Sequence, residues 1–503
     1  MSFTLSILIF IYKKKLAEIR KMSEASARQK MSPKDLMIVL VISLGSFMAG
    51  LDVTIVNIAL PSIGKAFDVS TVTVSWVLNA YLIILISLLL ASSRLGDMKG
   101  YRKIFLVGFI LFTIGSALCG LAPGIDVLIL SRMLQAVGGA IIAALGAVMI
   151  TSYLPSALRG QALGIVAMFT MLGAALGPVI GGFLTSTFSW RFIFYVNIPV
   201  GIIALLLGVH ILPRLDPIAP KAKLDVLGVI LIFAALGTLI YGLIFLPGAA
   251  RMSAVLALIV SVVFWVFFYV HERRTTEPLV NTQLFANRAF TLQNLDVMLI
   301  QMALAGVMIL MPFYLEIVKH LPTDNSGTVL LALPIGMILT SPIAGRISDV
   351  IGTKKPIILG FVICVLALFL LSTIGLNTSI GHAVIYLFLL GAGTGIAYAP
   401  LNSAVMGESP IKERGTTSGL IKMMTNLGSS LGVALVILVA TVALGPELAQ
   451  ATIHTLPPAE LASAFDAAFI FLMCAEVLGI LLMLPVKEEE TGYSTDGEPV
   501  IAF

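Results

Sequence analysis

Charge is what this chain has least of. Asp, Glu, Lys and Arg make up 11% of its 503 residues, against about 25% in an ordinary soluble domain. Hydrophobic residues make up 59%. A soluble protein of this length could not cover so much apolar surface with so few polar groups, so the chain reads as an integral membrane protein. Histidine and cysteine are scarce too. His210, His271, His320, His382 and His454 never fall at metal-ligand spacing, and Cys119, Cys364 and Cys474 form no CxxC. No metal and no cofactor is therefore expected. Each cysteine sits in an apolar run, where buried packing is the expectation for all of them. A G-x-x-x-x-G-K-[ST] loop is absent, which excludes ATP hydrolysis through a P-loop. The net charge of +5 is scattered in short groups between apolar runs, and nucleic acid is not expected as a partner. No catalytic constellation is visible, so an enzyme is not expected.

Long apolar runs are what the chain does have. A membrane helix needs about 20 mainly apolar residues. The sequence offers such runs at 36–59, 73–92, 104–122, 127–151, 160–186, 194–212 and 226–246, then at 252–270, 289–315, 327–345, 357–375, 383–406, 418–444 and 467–485. With the N-terminus in the cytosol, the basic residues alternate as the positive-inside rule requires. Lys65, Arg191, Arg251 and Lys319 then fall outside, and Arg132 is the basic residue read as lying within a span. Both termini are thus expected in the cytosol. Residues 1–35 read as a cytosolic or interfacial leader: Met1 to Tyr12 is apolar but too short to span, and Lys13 to Lys15 follow it where a signal peptide would have charge first. Met22 and Met31 are alternative starts.

Two distant stretches share a pattern. Ser93 to Lys103 follows the second span, and Gly345 to Lys355 follows the tenth; Asp97, Gly100, Arg102 and Lys103 recur as Asp349, Gly352, Lys354 and Lys355 at an offset of 252 residues. Pro155, Arg159, Gly160, Gly164, Gly173 and Gly177 recur as Pro410, Arg414, Gly415, Gly419, Gly428 and Gly432 at an offset of 255. Spans 1–6 are therefore repeated as spans 9–14, and spans 7 and 8 are an insertion. The expected organisation is a leader (1–35), an N-terminal six-helix bundle (36–212), two inserted helices with linkers (213–288), a C-terminal six-helix bundle (289–485) and a cytosolic tail (486–503). Parallel halves with a site between them are a carrier's plan, with alternating access by rocking one half against the other.

Here the chain resembles the major facilitator superfamily, and within it the fourteen-spanner drug:proton antiporter branch. Leu51 to Pro61 is similar to that branch's span 1 signature, and residues 93–103 to the superfamily's loop 2–3 motif, with Ser93 where Gly is usual. Leu130 to Gly139 resembles the span 4 motif with Ala136 in place of Gly. Gly173, Gly177, Pro178, Gly181 and Gly182 match the span 5 antiporter motif, and Trp190 to Pro199 is also similar to this branch. The resemblance implies an all-α polytopic fold with spans 1, 4, 9 and 12 around a central cavity. It implies a proton-coupled exporter of amphipathic, cationic compounds in the plasma membrane, with the lipid bilayer, protons and a small molecule as partners.

Ionisable groups inside a membrane are costly and invite a functional reading. Asp52 lies about 24 Å along span 1 and Arg132 about 8 Å into span 4, both in the outer half, so the two can pair. Asp52, Arg132 and Asp296 are the candidates for proton and substrate coupling; Asn57, Tyr81 and Tyr398 are candidates for the cavity wall. Glu476, mid-span in span 14, is expected to make a satisfied hydrogen bond between helices, and Glu316 to be interfacial. Asp97, Gly100 and Arg102, with Asp349 and Gly352, read as a cytosolic latch. Gly173, Gly177 and Gly181 lie one turn apart on span 5 and permit close helix packing, with Gly182 beside them and Pro178 adding a kink. A monomer is expected. The alternatives are an importer or metabolite exchanger of the same fold, and a non-transporting membrane sensor or scaffold.

Overall fold

A computed structural model describes residues 31–220, 223–248, 250–275, 278–280, 282–409, 414–445 and 457–486. The expected leader therefore lies outside the described residues up to residue 30, as does the tail from 487. Among the described residues there is no strand, and 14 helices are long and apolar enough to cross a membrane. They are α1 (Pro33–Phe67), α2 (Thr71–Lys99), α3 (Tyr101–Leu121), α4 (Ile125–Tyr153), α5 (Gln161–Thr187), α6 (Phe192–Ile211) and α7 (Val226–Phe245). Then come α8 (Arg251–Arg274), α9 (Arg288–Val318), α10 (Thr323–Ser348), α11 (Lys354–Leu371), α12 (Ile380–Gly407), α13 (Thr417–Leu444) and α14 (Pro458–Met483). The protein is an all-α, multi-pass membrane protein. Two opposite ends of the bundle are named here by a residue at each, the Asp97 face and the Arg191 face.

The helix ends follow from local chemistry. Ser32 and Asp35 form a capping box at the start of α1, which satisfies backbone N–H groups that have no partner in the helix. Ser70 caps α2, Asp225 caps α7 and Asn287 caps α9. The α2–α3 and α10–α11 turns are built alike: Gly100 has φ 91° and Gly352 has φ 85°. Only glycine adopts such angles without strain, which is why this residue recurs in both copies of the repeat.

The repeat is visible in the packing. α1 lies against α4, α5 and α6, as α9 lies against α12, α13 and α14; α4 packs on α2 and α3, as α12 packs on α10 and α11. The halves meet where α2 contacts α13 and where α5 contacts α10, and these are equivalent pairs under the repeat. The inserted α7 and α8 pair with each other, and α7 rests on α2 and α13. A hydrogen-bonding contact between His271 Nε2 and Asp225 Oδ1 (2.8 Å) ties the insertion together at the Asp97 face.

The core is not symmetric between the two ends. Toward the Arg191 face one apolar cluster runs through both halves, from Leu60, Val74 and Leu128 to Tyr314, Leu387 and Phe465. Toward the Asp97 face the N-terminal half has its own cluster around Phe105, Phe109 and Leu145. The C-terminal half, joined by α2 and α7, has another around Phe290, Ile357 and Leu420. Both halves thus share one core at the Arg191 face, while at the Asp97 face the N-terminal half keeps a core of its own and lends α2 to that of the C-terminal half.

Candidate functional site

The expected pairing of Asp52 with Arg132 is present, inside the N-terminal half. Arg132 Nη1 donates to Asp52 Oδ2 at 2.8 Å, and both side chains are 0% exposed. A single pair could not satisfy so many buried polar atoms, and the fold supplies more partners. Gln135 Nε2 donates to Asp52 Oδ1 at 2.9 Å and to Ser116 Oγ at 2.8 Å, while Gln135 Oε1 accepts from Arg132 Nη1 at 2.6 Å. Asn197 Nδ2 reaches Asp52 Oδ1 at 3.3 Å, and Arg132 Nε donates to the Val77 carbonyl at 3.2 Å. The guanidinium lies 4.1 Å from the Tyr81 ring centroid. One ion pair thereby ties α1, α2, α3, α4 and α6 together. Truncating one partner of such a group leaves an uncompensated buried charge, which costs about 3–5 kcal/mol.

Of the expected cavity wall, Tyr81 is 1% exposed and covers Arg132, so it serves the ion pair instead of an open space. Asn57 is also buried. Tyr398 is half-buried, and its hydroxyl lies 3.1 Å from Thr425 Oγ1, across α12 and α13.

In the C-terminal half, Asp296 is 0% exposed and neither carboxyl oxygen has a hydrogen-bond partner. It is not brought near Asp52: it belongs to the helix equivalent to α1, packed within the other bundle. Glu476 departs from expectation. Instead of a satisfied helix–helix hydrogen bond, it is fully buried with both oxygens unpartnered. Glu316 is half-buried in a short π-helical turn, Tyr314–Val318, at the end of α9. Cys119 and Cys364 are buried as expected, but Cys474 is exposed, on the outside of α14. An apolar run specifies an apolar surrounding, and on an outward-facing helix that surrounding is lipid.

On the Asp97 face, Asp97 accepts a hydrogen bond from the Tyr101 hydroxyl, its backbone carbonyl accepts from Ala219 N at 3.0 Å, and Arg102 donates to the Val209 carbonyl. The side chain of Asp349 lies outside the described residues, although the turn at Gly352 repeats that at Gly100. A cavity of about 570 Å³ lies at the seam between the halves here, bounded by Arg94 and Asp97 of α2, Lys223 and Asp225 before α7, and Lys422 of α13. Lys422 is the residue the positive-inside reading misplaced. It lies within α13, half-buried, and its ammonium donates to the Ala143 carbonyl of α4 at 2.7 Å, crossing from one half to the other.

The span 5 glycines divide between two neighbours. A Cβ on Gly173 would lie 2.3 Å from the Phe47 carbonyl oxygen, and one on Gly177 would lie 2.0 Å from Thr54 Oγ1, so these residues, with Gly181, seat α5 on α1. On the other side, a Cβ on Gly182 would meet the Thr323 carbonyl at 2.5 Å, and one on Gly327 would meet the Pro178 carbonyl at 2.1 Å. The motif therefore packs α5 within its own half and against α10 of the other. The Trp190–Arg191 segment closes the same face: the Arg191 guanidinium lies 4.3 Å from the Trp190 ring centroid and donates to the Ala122 carbonyl at 2.9 Å.

Sequence reasoning sought ionisable groups and so passed over Gln135, Asn197 and Ser116, although Gln135 and Asn197 stand inside quoted motifs. Neutral amides within apolar spans were the available signal, since such groups must find partners when buried. Among the described residues no group of His, Cys, Asp and Glu could hold a metal ion.

Comparison with known proteins agrees with this architecture. The Major Facilitator Superfamily profile matches residues 42–226 and 224–433. The riboflavin transporter RibZ of Clostridioides difficile is 32% identical over 79% of this chain and 86% of its own length. The multidrug resistance protein Stp of Mycobacterium tuberculosis is 30% identical over 80% and 75%, and the tetracenomycin C resistance and export protein of Streptomyces glaucescens is 30% identical over 85% and 81%. Among solved structures, an inward-facing bacterial homologue of the human lysosomal transporter Spinster superposes with a TM-score of 0.62 at 16% identity, over 90% of this chain and 98% of its own. The human organic anion transporter MFSD10 gives 0.61 at 15%, over 90% and 100%. The chain belongs to the Major Facilitator Superfamily, in its drug-efflux branch, and is a transporter and not an enzyme.

Proposed function

We propose that this transporter exports amphipathic, cationic compounds across the plasma membrane in exchange for protons, as a monomer with its Asp97 face and both termini in the cytosol. Relatives named as multidrug and tetracenomycin exporters support the direction. The observation that carries the reading is Asp296, a carboxyl buried inside a carrier with no cation or hydrogen-bond donor bonded to it. Such a group holds a proton until water or a cation reaches it. A cationic substrate and a proton then exclude one another, which is antiport. Exchange of one proton for one monovalent cation moves no net charge, so the pH difference drives it, and one pH unit, worth about 1.4 kcal/mol, sustains a concentration ratio of roughly tenfold. In this reading the conformation faces the cytosol. The fused core lies at the Arg191 face, and on α5 and α10 the flanks nearer the Asp97 face, Met168 and Leu172 with Ile343 and Ile347, are exposed. The Asp52–Arg132 network serves as the hinge that keeps the N-terminal half rigid while it rocks, and the Asp97 turn as the latch of the cytosolic seam.

The test is ethidium efflux from energised cells expressing wild type or Asp296→Asn at equal levels, with and without a protonophore. Wild-type efflux should stop with the protonophore, and the variant should lose it without one. Efflux that persists in the presence of protonophore would overturn the proton coupling. RibZ favours a second reading, a metabolite carrier of the same fold; wild type that ignores ethidium but moves riboflavin would establish that instead.

A further inference from the structure

Each half of the molecule holds a buried polar knot between equivalent helices, and only one of them contains a cation. In the N-terminal half, α1 and α6 contribute Asp52 and Asn197, and Arg132 neutralises the carboxylate. In the C-terminal half the equivalent helices α9 and α14 contribute Asp296 and Glu476. α9 begins at the Asp97 face with Arg288 and α14 ends there with Met483. At 1.5 Å per residue, Asp296 is about 12 Å and Glu476 about 10 Å from that face, so they stand at one level. The two helices pack together, which brings Asp296 and Glu476 within electrostatic range of each other. Both residues are 0% exposed, and none of their carboxyl oxygens has a hydrogen-bond partner.

Among the described residues no cation is bonded to either carboxyl. The other titratable group that Glu476 reaches is Cys364 on α11, a thiol held between the Leu390 carbonyl and Thr394. Lys354, at the start of α11, directs its ammonium to the carbonyls of Leu484 and Val486 at the end of α14. On α13, Lys422 donates to the Ala143 carbonyl of the other half. Two neighbouring carboxyls in an apolar interior without a cation cannot both ionise, and their titrations belong to the pair.

We infer that Asp296 and Glu476 form one proton-binding site in the C-terminal half, with Glu476 as its second carboxyl. The inference rests on the proton-coupled reading above and names the site. In the conformation described here both carboxyls are acids. When the site opens, one proton leaves and the remaining acid donates a hydrogen bond to the new carboxylate, so one negative charge appears per proton released. A cationic substrate offsets that charge; its departure allows a proton to return.

The full-length protein in proteoliposomes provides the test, using wild type, Asp296→Asn, Glu476→Gln and Asp296→Glu. Ethidium counterflow, which needs no proton gradient, should remain in Glu476→Gln and Asp296→Glu and be lost in Asp296→Asn, which removes the carboxylate that the cation offsets. Accumulation against a gradient, driven by an imposed pH difference, should fall from roughly tenfold per pH unit toward unity in Glu476→Gln and Asp296→Asn and return in Asp296→Glu. Glu476→Gln that accumulates ethidium like wild type would overturn the assignment. Wild type that shows counterflow but no pH-driven accumulation would instead overturn the proton-coupled reading. Infrared titration of the purified protein needs no substrate and covers a variant that folds poorly. The carbonyl stretch of protonated carboxyls should be present in wild type at neutral pH and reduced in Asp296→Asn and in Glu476→Gln. A wild-type spectrum without that band would sink the pair whatever ethidium does.

Discussion

Asp52 and Arg132 illustrate how one buried ion pair depends on its neutral neighbours. The carboxylate accepts from Arg132, Gln135 and Asn197, and the guanidinium also uses the Val77 carbonyl and the Tyr81 ring. Arg132→Ala should therefore destabilise the purified protein by about 3–5 kcal/mol, because it strands a buried carboxylate. Asp52→Asn combined with Arg132→Gln should cost less than the two single changes added together, since neither charge is then left unpaired. Thermal melting in detergent measures both, and strict additivity would show that the two side chains do not act as a unit. The pairing was legible in the sequence, because depth along two helices brought the residues to one level. Asn197 was not: its role depends on how α6 leans on α1, which no local pattern encodes.

At the scale of an element, α5 carries the most information per turn. Its small residues on one side let the α1 backbone approach, and on the other side Pro178 and Gly182 meet α10. Gly173→Ala should destabilise the N-terminal half by about 1–3 kcal/mol, because the added methyl meets the Phe47 carbonyl and not a yielding side chain. A melting curve unchanged from wild type would contradict the close packing. Gly327→Leu should hinder closure of the Arg191 face, since its side chain meets the Pro178 carbonyl and wedges α10 from α5. It should make a cysteine placed at Ser326, buried beside Gly327 on α10, reactive to a membrane-impermeant thiol reagent applied from that face. The four-residue spacing announced a packing surface, but spacing alone could not divide it between a partner in the same half and one in the other.

For the whole molecule, the decisive feature is that both halves share one core at the Arg191 face, while at the Asp97 face the N-terminal half keeps a core of its own. In a background with Cys474→Ala, a pair of cysteines placed on α5 and α10 beside the close contact of Gly182 with Thr323 should cross-link on oxidation. Transport should stop when the link forms and resume on reduction, because alternating access requires that contact to open. Continued transport through the cross-linked protein would refute rocking at this seam. The insertion also belongs to this scale. α7 rests on α2 and α13, so any movement of that seam must carry it along or slide past it.

Composition and periodicity by themselves determined the membrane class, the 14 spans and the internal repeat, because each follows from the cost of placing polar backbone or charge in lipid. Motif residues placed the chain in its superfamily. Tertiary structure decided what the buried groups face: Asp52 meets a cation while Asp296 and Glu476 meet none, Tyr81 covers Arg132, and Lys422 crosses between the halves. A sequence records that a polar group lies within a span, but the rotation and tilt of each helix choose its neighbours. In an interior of low dielectric, those neighbours decide whether a carboxyl is an anion in an ion pair or an acid that holds a proton.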